Sequence, residues 1–336
     1  MAGWAGAFKT TIAVALCLGS SSLLAAGYSD HPNAKAFMET MTKEHGFTAA
    51  ELEGWLSKAQ KQQSILKAIA RPAEKTKTWA EYQQIFVTSA RINKGVEFWQ
   101  ANQEALARAE QSYGVPAEII VAIMGVETRY GQHMGNYRVL DALATLAFDY
   151  PPRSPFFTKE LGQFLLLTRE QERDPLSLKG SYAGAMGYGQ FMPSSYRAYA
   201  ADFDNDGFID IWENRDDAIG SVANYFVRHG WVKDQPVVVR AQAQKGYDAT
   251  VINDSLKPLH TVASLKDQGF IPEVSLPSDS VASVIQLDGA KGTEFWIGLN
   301  NFYTITRYNH SRLYAMAVHQ LSQEILHAKQ KADNKR

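Results

Sequence analysis

Glu127 is a candidate general acid in this sequence. It follows an uninterrupted apolar segment, Ile119 to Val126. A carboxyl group at the end of such a segment loses solvation of its charged form, so its pKa is expected to rise. A carboxyl group that stays protonated near neutral pH can act as a general acid. A structural ion pair with Arg129 or another base would fit this position equally well.

Residues 202–213 match the EF-hand calcium loop, with carboxylates at positions one, three, five, nine and twelve and glycine at position six. A hard cation needs several oxygen ligands, and the glycine permits the turn that brings them together. We therefore predict a structural Ca²⁺ site. The next helix is expected to begin near Asp216, later than in an ordinary EF-hand, so Asp217 is an alternative to Glu213 as the closing ligand. The predicted ligands are Asp202, Asp204, Asp206, Phe208 and either Glu213 or Asp217.

The segment between these two sites, residues 180–196, combines glycines with aromatic rings. Four glycines, at positions 180, 184, 187 and 189, allow left-handed backbone and close approach of a partner. Tyr182, Tyr188 and Phe191 offer flat faces. Such a segment has low helix and strand propensity, so tertiary contacts or a ligand must stabilise it. We predict a ligand-lined turn.

Helical periodicity surrounds these segments. Apolar residues recur at spacings of three and four between residues 33 and 114 and again between 137 and 173. Pro116 fits the first turn of a helix that ends near Gly131. A short helix is expected over 194–201 and a last amphipathic helix over 311–327. In the block before Tyr113, the predicted core residues are Phe86, Ile92, Val96, Phe98 and Trp99.

The period changes between residues 236 and 298. Short runs typical of strands occupy 237–239, 284–287 and 295–297, and residues 288–292 would form a five-residue hairpin loop. We predict a small β-rich insertion. Residues 300–309, which are polar and aromatic together, fit either an ordinary loop or a carbohydrate contact.

The N-terminus has the features of an export signal. Lys9 precedes an apolar stretch over residues 11–24, and small residues follow, so cleavage is expected near Ala26. A membrane anchor is the alternative, but Gly19 and the serines at 20–22 leave the apolar run short for a spanning helix. The only cysteine, Cys17, lies in this segment behind Leu16, where a lipid attachment motif has a small residue. We predict a soluble exported protein without lipid at Cys17 and without disulfides.

Charge and motifs exclude several functions. The 336 residues include 34 basic and 35 acidic side chains, a net charge of −1, so nucleic acid is not an expected partner. The sequence has no zinc-binding His-Glu-x-x-His pair, no Walker loop and no dinucleotide fingerprint, so no organic cofactor is expected. An acid beside aromatic platforms suggests glycoside cleavage. Standard glycosidases need a second carboxylate, and none is clearly placed; it would be unnecessary if the sugar supplied its own nucleophile.

Three segments, residues 125–131, 181–194 and the loop that begins at Asp202, resemble the lytic transglycosylase B family of bacterial peptidoglycan-cleaving enzymes. The similarity covers the whole mature chain. It implies a mainly α fold, with a lysozyme-like helical core, an added helical domain, a small β-rich insertion and an EF-hand-like loop. The implied division is a signal peptide over 1–26, a helical domain over 30–114, the core over 115–235, the β-rich domain over 236–298, and a C-terminal segment over 299–336 that returns to the core.

The resemblance also implies roles for residues. Glu127 would be the single acid and base. It would protonate the oxygen between N-acetylmuramic acid (MurNAc) and N-acetylglucosamine (GlcNAc), then accept the proton of the muramoyl C6 hydroxyl. The product would be a 1,6-anhydromuramoyl end, formed without water. The substrate-binding residues would be Ser181, Met186, Gln190, Tyr225, Tyr303, Tyr308 and Asn309.

The expected setting is the periplasm, with peptidoglycan glycan strands as substrate in cell-wall turnover and cell-wall synthases or hydrolases as further partners. Stable membrane insertion is not expected after signal cleavage. Two alternatives stay open at this point: a hydrolytic muramidase that uses the same Glu127, and a non-catalytic, calcium-dependent protein that binds peptidoglycan.

Overall fold

A computed structural model describes residues 27–70 and 77–334 of the chain. The predicted signal peptide, with its cleavage site near Ala26 and with Cys17, lies outside the described residues. Within the described part, no helix is both long enough and apolar enough to cross a membrane.

Six helices occupy the first helical block: α1 (Pro32–His45), α2 (Ala49–Leu56), α3 (Gln63–Ile69), α4 (Trp79–Phe86), α5 (Ser89–Ala101) and α6 (Gln103–Tyr113). Thr48 and Thr78 begin α2 and α4, each in a reciprocal capping box with the glutamate three residues later. Of the five predicted core residues in this block, only Phe98 is fully buried, and the other four are half-buried against the same core.

The central helix of the structure is α7 (Ala117–Thr128). Every residue from Ile119 to Gly125 is buried, which confirms the prediction that this helix is enclosed on all faces. It packs against α5, α6 and two later helices. It ends before the predicted Gly131, because Arg129 takes the left-handed conformation that caps its C-terminus.

Two short strands, β1 (Tyr137–Arg138) and β2 (Lys179–Gly180), pair antiparallel on either side of α8 (Val139–Asp149) and α9 (Ser154–Glu170). The chain then continues through α10 (Pro193–Tyr199) and α11 (Arg215–Arg228). Asn214 begins α11, and its side-chain oxygen accepts hydrogen bonds from the N–H groups of Asp216 and Asp217. The predicted start near Asp216 is correct to within one residue.

A five-stranded antiparallel sheet forms the β-rich part. Its strands are β3 (Val238–Ala243), β4 (His260–Thr261), β5 (Phe270–Pro272), β6 (Val281–Gly289) and β7 (Gly292–Gly298), in the order β4-β6-β7-β3-β5, with α12 (Val262–Asp267) between β4 and β5. The predicted five-residue hairpin loop is wrong. Gly289 pairs with Gly292, so only Ala290 and Lys291 form the turn, and Gly292 supplies its left-handed backbone (φ 111°).

Residues 300–308 form a helix, α13 (Asn300–Tyr308), where the sequence allowed a loop. Its helical periodicity is not evident in the sequence, because some of its buried positions carry polar residues. Asn301 is fully buried, accepts a hydrogen bond from Val232 N and donates to the carbonyls of Val232 and Gln235. The last helix, α14 (Arg312–Asp333), begins after Ser311 as predicted and extends six residues beyond His327.

A buried carboxylate, Glu160 of α9, holds the start of α10. It is 2% exposed and accepts hydrogen bonds from both the N–H (2.9 Å) and the hydroxyl (2.7 Å) of Ser194. A second carboxylate on the same helix, Glu170, forms an ion pair with Arg197 at the surface. The two glutamates therefore hold the same short helix, one in the interior and one in solvent.

We expect Glu160→Ala to lower the free energy of unfolding by about 2–3 kcal/mol, because it leaves buried donors of Ser194 without an acceptor. The matched variant Glu170→Ala should cost about 1 kcal/mol or less, since exposed ion pairs contribute little. Urea unfolding followed by tryptophan fluorescence measures both. Equal losses in the two variants would contradict this account of α10.

Candidate functional site

The glycine-rich segment, residues 180–191, folds as a series of tight turns that we call the wall. Backbone bridges join Gly180 to Met186 and Met186 to Phe191, both antiparallel. The Ser181 hydroxyl oxygen accepts hydrogen bonds from the N–H groups of Ala183 and Ala185. Bonds within its own turns therefore hold part of the wall.

Close contacts fasten the wall to its neighbours on both sides. A side chain at Gly131 would meet the Tyr188 ring at 2.3 Å, and one at Gly187 would meet the carbonyl oxygen of Ile211 at 2.4 Å. Tyr188 N donates to that same carbonyl (3.0 Å). The wall therefore touches the turn after α7 on one side and the end of the 202–213 loop on the other.

Thr128, the last residue of α7, links the acid to the wall. It is completely buried, and its hydroxyl lies 3.0 Å from the Tyr188 carbonyl, to which it donates. It also accepts a hydrogen bond from Gly131 N (2.9 Å). The position of Glu127, one residue earlier, is therefore set relative to the wall.

Glu127 is half-buried at the end of α7 and accepts a hydrogen bond from the Tyr314 hydroxyl, with 2.5 Å between the two oxygens. Tyr314 lies in the first turn of α14 and is 2% exposed. Burial, followed by the charge of Glu127, raises the pKa of Tyr314 well above its ordinary value. The phenol therefore remains a hydrogen-bond donor throughout the physiological pH range.

Arg129, the alternative ion-pair partner considered for Glu127, has an exposed side chain. It lines a separate depression together with Arg91. One partner of Glu127 in the structure is the Tyr314 phenol, which suits a carboxyl group that must gain and lose a proton.

Tyr308 lies close to the acid, and Tyr225 packs against Tyr308. Tyr308 donates to the carbonyl of Gly189 in the wall (2.7 Å), and Tyr225 donates to the carbonyl of Arg307 (2.6 Å). Burial is the main cause that raises the pKa of Tyr308, and the charge of Glu127 adds to it. The rings of Tyr308 and Tyr225 pack 4.7 Å apart, so α11, α13 and the wall meet at this pair.

The remaining predicted sugar-binding residues differ in exposure. Gln190 has left-handed backbone (φ 51°) and donates from its side-chain amide to the carbonyls of Met134 and Gly187. Tyr303, in the middle of α13, and Asn309, directly after it, are half-buried. Met186 is fully buried, so its side chain packs in the core behind the wall.

The acidic loop brings three carboxylates together. Ligand oxygens of Asp202, Asp204 and Asp217 lie within 4.8 Å of one another. Asp217 is fully buried and accepts hydrogen bonds from Phe203 N and Asp210 N, both at 2.7 Å. Burial is the largest cause that raises the pKa of Asp217, and the charges of Asp204 and Asp202 also raise it. A bound cation would relieve this crowding of negative charge.

The other predicted ligands are arranged around this cluster. Asp206 N donates to the carboxylates of Asp202 and Asp204, and Gly207 takes the left-handed conformation (φ 96°) that the turn requires. Glu213 is exposed and lines a depression with Arg173 and Lys179. The carboxylate that the structure brings to Asp202 and Asp204 is that of Asp217.

Sequence reasoning missed Tyr314 and Thr128. Tyr314 belongs to an amphipathic helix 187 residues away from Glu127, and its spacing is that of an ordinary core residue. Thr128 follows the acid directly, but its burial and its contact with the wall become visible only in the folded chain. No local signal identifies either residue.

Comparison with known proteins places the chain among peptidoglycan-cleaving enzymes. The family described as "Transglycosylase SLT domain" matches residues 29–323. The membrane-bound lytic murein transglycosylase B of Escherichia coli K12 is 48% identical over 307 residues, which cover 89% of this chain and 84% of that protein.

Solved structures share the fold. Catenated lytic transglycosylase SltB1 from Pseudomonas aeruginosa matches with a TM-score of 0.87 and 53% identity, over 90% of this chain and 99% of that chain. Escherichia coli Slt35 in complex with calcium matches with a TM-score of 0.83 and 47% identity, over 91% of this chain and 96% of that chain. Pseudomonas aeruginosa SltB3 in complex with NAG-anhNAM-pentapeptide matches with a TM-score of 0.78 and 30% identity, over 87% of this chain and 78% of that chain. The predicted mainly helical, lysozyme-like fold with a small sheet is confirmed.

The contact of Thr128 with the wall can be tested by removing its hydroxyl. We expect Thr128→Val to lower the free energy of unfolding by about 2–3 kcal/mol, because Gly131 N loses its acceptor in a buried place. Thr128→Ser keeps the hydroxyl and should cost only about 1 kcal/mol for the lost methyl group. Hydrogen exchange at Gly131 N should accelerate in the valine variant alone. Unchanged exchange there would show that the threonine does not hold this turn.

Proposed function

Because the chain belongs to the transglycosylase SLT family and is a lytic murein transglycosylase, we propose that Glu127 is the single acid and base of its reaction. The observation that carries this proposal is the hydrogen bond from the buried Tyr314 hydroxyl to Glu127 at the edge of the wall. It gives the carboxyl group a fixed position and a donor that does not itself lose its proton.

In the first step, protonated Glu127 donates to the glycosidic oxygen between MurNAc and GlcNAc, and the bond from C1 of MurNAc to that oxygen breaks. The GlcNAc hydroxyl leaves with the proton. The N-acetyl group of the muramoyl residue assists this departure. Tyr314 stabilises the carboxylate that forms, because hydrogen bonds to charged groups are stronger than neutral ones.

In the second step, the Glu127 carboxylate accepts the proton of the muramoyl C6 hydroxyl, and O6 bonds to C1. The product is a 1,6-anhydromuramoyl end, and Glu127 is protonated again. This route needs one carboxyl group. Glu118, the other acid of α7, lies nine residues earlier, which is about 13.5 Å along a helix axis, too far to share the reaction.

The sugar contacts are proposed for Ser181 and Gln190 of the wall, for Tyr225 of α11, for Tyr303 and Tyr308 of α13, and for Asn309 directly after that helix. The pair of packed rings and the amide and hydroxyl groups beside them suit a carbohydrate, which presents apolar faces and polar edges. Support comes from SltB3, a relative whose structure is a complex with NAG-anhNAM-pentapeptide.

We expect Glu127→Gln to lower kcat by at least about 10³-fold, since the amide cannot transfer a proton. The variant should keep its fold and its affinity for glycan strands. Glu118→Gln, on the same helix, should stay within about twofold of wild type. The assay is digestion of purified sacculi, with products identified by mass spectrometry.

The same assay separates the alternatives. Anhydromuramoyl ends support the transglycosylase reaction, and reducing ends in their place would establish a hydrolytic muramidase. An active Glu127→Gln variant would remove Glu127 from the reaction. Binding without any cleavage by the wild-type protein would favour the non-catalytic alternative.

We also propose that the acidic loop binds Ca²⁺ through Asp202, Asp204, Asp206, the Phe208 carbonyl and Asp217. All of these ligands are oxygens, which this ion prefers. Ligand oxygens of Asp202, Asp204 and Asp217 already lie within 4.8 Å of one another. Calcium binding would be structural: it would join the loop to α11 and hold the Ile211 carbonyl that contacts the wall. The complex of the relative Slt35 with calcium supports the proposal.

We expect calcium to raise the melting temperature by about 5 °C at about 100 times its Kd, because it binds only the folded state. Asp217→Asn should remove most of this rise, whereas Glu213→Gln should preserve it. Differential scanning calorimetry with calcium and with chelator measures the shifts. If Glu213→Gln removes the rise and Asp217→Asn does not, the closing ligand is Glu213.

Export to the periplasm, with residues 1–26 removed as a signal peptide, completes the proposal, since peptidoglycan lies outside the cytoplasmic membrane. Within the mature chain we retain the division into a helical domain, a catalytic core, a β-rich domain and a returning C-terminal segment. The separate apolar core beneath the sheet, which includes Val262, Phe270 and Ile297, supports the β-rich unit.

A further inference from the structure

A small basic pocket lies beside the turn that follows α7. Its volume is about 200 Å³, and it is lined by Ala90, Arg91 and Lys94 of α5 and by Arg129, Tyr130 and Gln132. Half of these residues are cations. Among the described residues, none of the ion pairs involves Arg91, Lys94 or Arg129.

Arg91 is the buried member of this basic pocket, at 7% exposure. One terminal nitrogen donates to the Ile85 carbonyl (2.5 Å), and the guanidinium lies 5.1 Å from the centre of the Phe86 ring. Its Nε is buried and has no hydrogen-bond partner among the described residues. Burial and the nearby charge of Arg129 both lower the pKa of Arg91. A buried donor without an acceptor, facing a second positive charge, is an arrangement that an anion would stabilise.

The backbone around the basic pocket is held in a costly conformation. Arg129 and Tyr130 are consecutive non-glycine residues in the left-handed region, with φ of 51° and 61°. The Tyr130 hydroxyl donates to the Arg91 carbonyl (2.9 Å) and so ties the turn to α5. Ala90 and Arg91 also belong to the first turn of α5, where the helix dipole favours negative charge. Strain of this kind persists where the surrounding structure enforces it, often at binding sites.

We propose that the basic pocket binds a carboxylate of the peptide stem that the muramoyl residue carries. This inference rests on the proposed function and identifies a part of the substrate other than the sugar. Guanidinium groups match the planar geometry of a carboxylate, which accepts two parallel hydrogen bonds from them. The chain as a whole has a net charge of −1, so this concentration of positive charge is local and does not belong to a broad basic surface.

The position of the basic pocket agrees with the length of a stem. Arg129 follows Glu127 by two residues, so their Cα atoms are at most about 7.6 Å apart. The stem begins on the muramoyl residue whose bond Glu127 cleaves. An extended peptide advances about 3.3–3.6 Å per residue, so its second or third residue comes within reach of the basic pocket.

The test compares two ligands that differ by one charge: the GlcNAc–MurNAc disaccharide with an L-Ala-D-Glu stem, and the same molecule with the α-carboxylate of its D-Glu residue converted to an amide. Neither contains the MurNAc–GlcNAc bond, so titration calorimetry measures binding without turnover. We expect the wild-type protein to bind the acid about tenfold more tightly than the amide, the difference of one charged contact.

The double variant Lys94→Gln/Arg129→Gln should reduce that preference to within about twofold. It leaves Arg91, with its contact to the Ile85 carbonyl, in place, and circular dichroism checks its fold. Lys266→Gln in α12 removes a comparable charge far along the chain and should keep the tenfold preference.

Three results would overturn the inference: equal affinity of the wild type for acid and amide, equal weakening of both ligands in the double variant, or competition by inorganic phosphate without any preference for the acid. Because the measurement involves no cleavage, it does not depend on the role of Glu127. If neither ligand binds, the inference fails while the role of Glu127 is untouched, whereas an active Glu127→Gln variant would leave this inference standing.

Discussion

A helix that is apolar on every face has to be enclosed by protein, and the arrangement of this enzyme follows from that requirement. α7 is covered by α5 and α6, which precede it in the chain, and by α11 and α14, which follow it. Its one acid at the open end, Glu127, therefore lies where the enclosing layer stops. Burying the helix brings α14 beside it, and with α14 comes the phenol that binds the acid.

Among the described contacts of the acid is a hydrogen bond from a buried phenol. Tyr314 donates to Glu127, Tyr308 lies near enough for the charge of Glu127 to raise its pKa, and Tyr225 packs against Tyr308. Burial is the chief cause that raises the pKa of all three tyrosines. A cation at this place would hold the carboxyl group in its ionised form. A phenol stabilises the carboxylate when it forms and still permits protonation, which a group that is first acid and then base requires.

The wall depends on contacts with elements that precede and follow it in the chain. Thr128 binds it from α7, the carbonyl of Ile211 binds it from the acidic loop, and Glu160 holds the helix through which the chain leaves it. The loop is joined to α11 through Asp217, whose carboxylate accepts hydrogen bonds from the N–H groups of Phe203 and Asp210. Calcium at this loop would act at a distance from the chemistry by fixing the backbone on which the wall rests.

The sequence by itself determined what depends on local pattern: the burial of α7, the acid at its end, the acidic loop with its glycine, and the helical fold with a small sheet. Only the tertiary structure decided which distant groups meet these elements. Tyr314 is 187 residues from Glu127 in the sequence and donates to it in the structure. Asp217 lies beside Asp202 and Asp204, where Glu213 does not. The side chain of Met186 is buried in the core and not exposed on the wall. The sequence did not predict the helix over 300–308, because one of its buried positions is Asn301, which forms hydrogen bonds with the backbone of Val232 and Gln235. Periodicity records which side chains avoid water, but the partner of a polar group depends on packing between segments far apart in the chain.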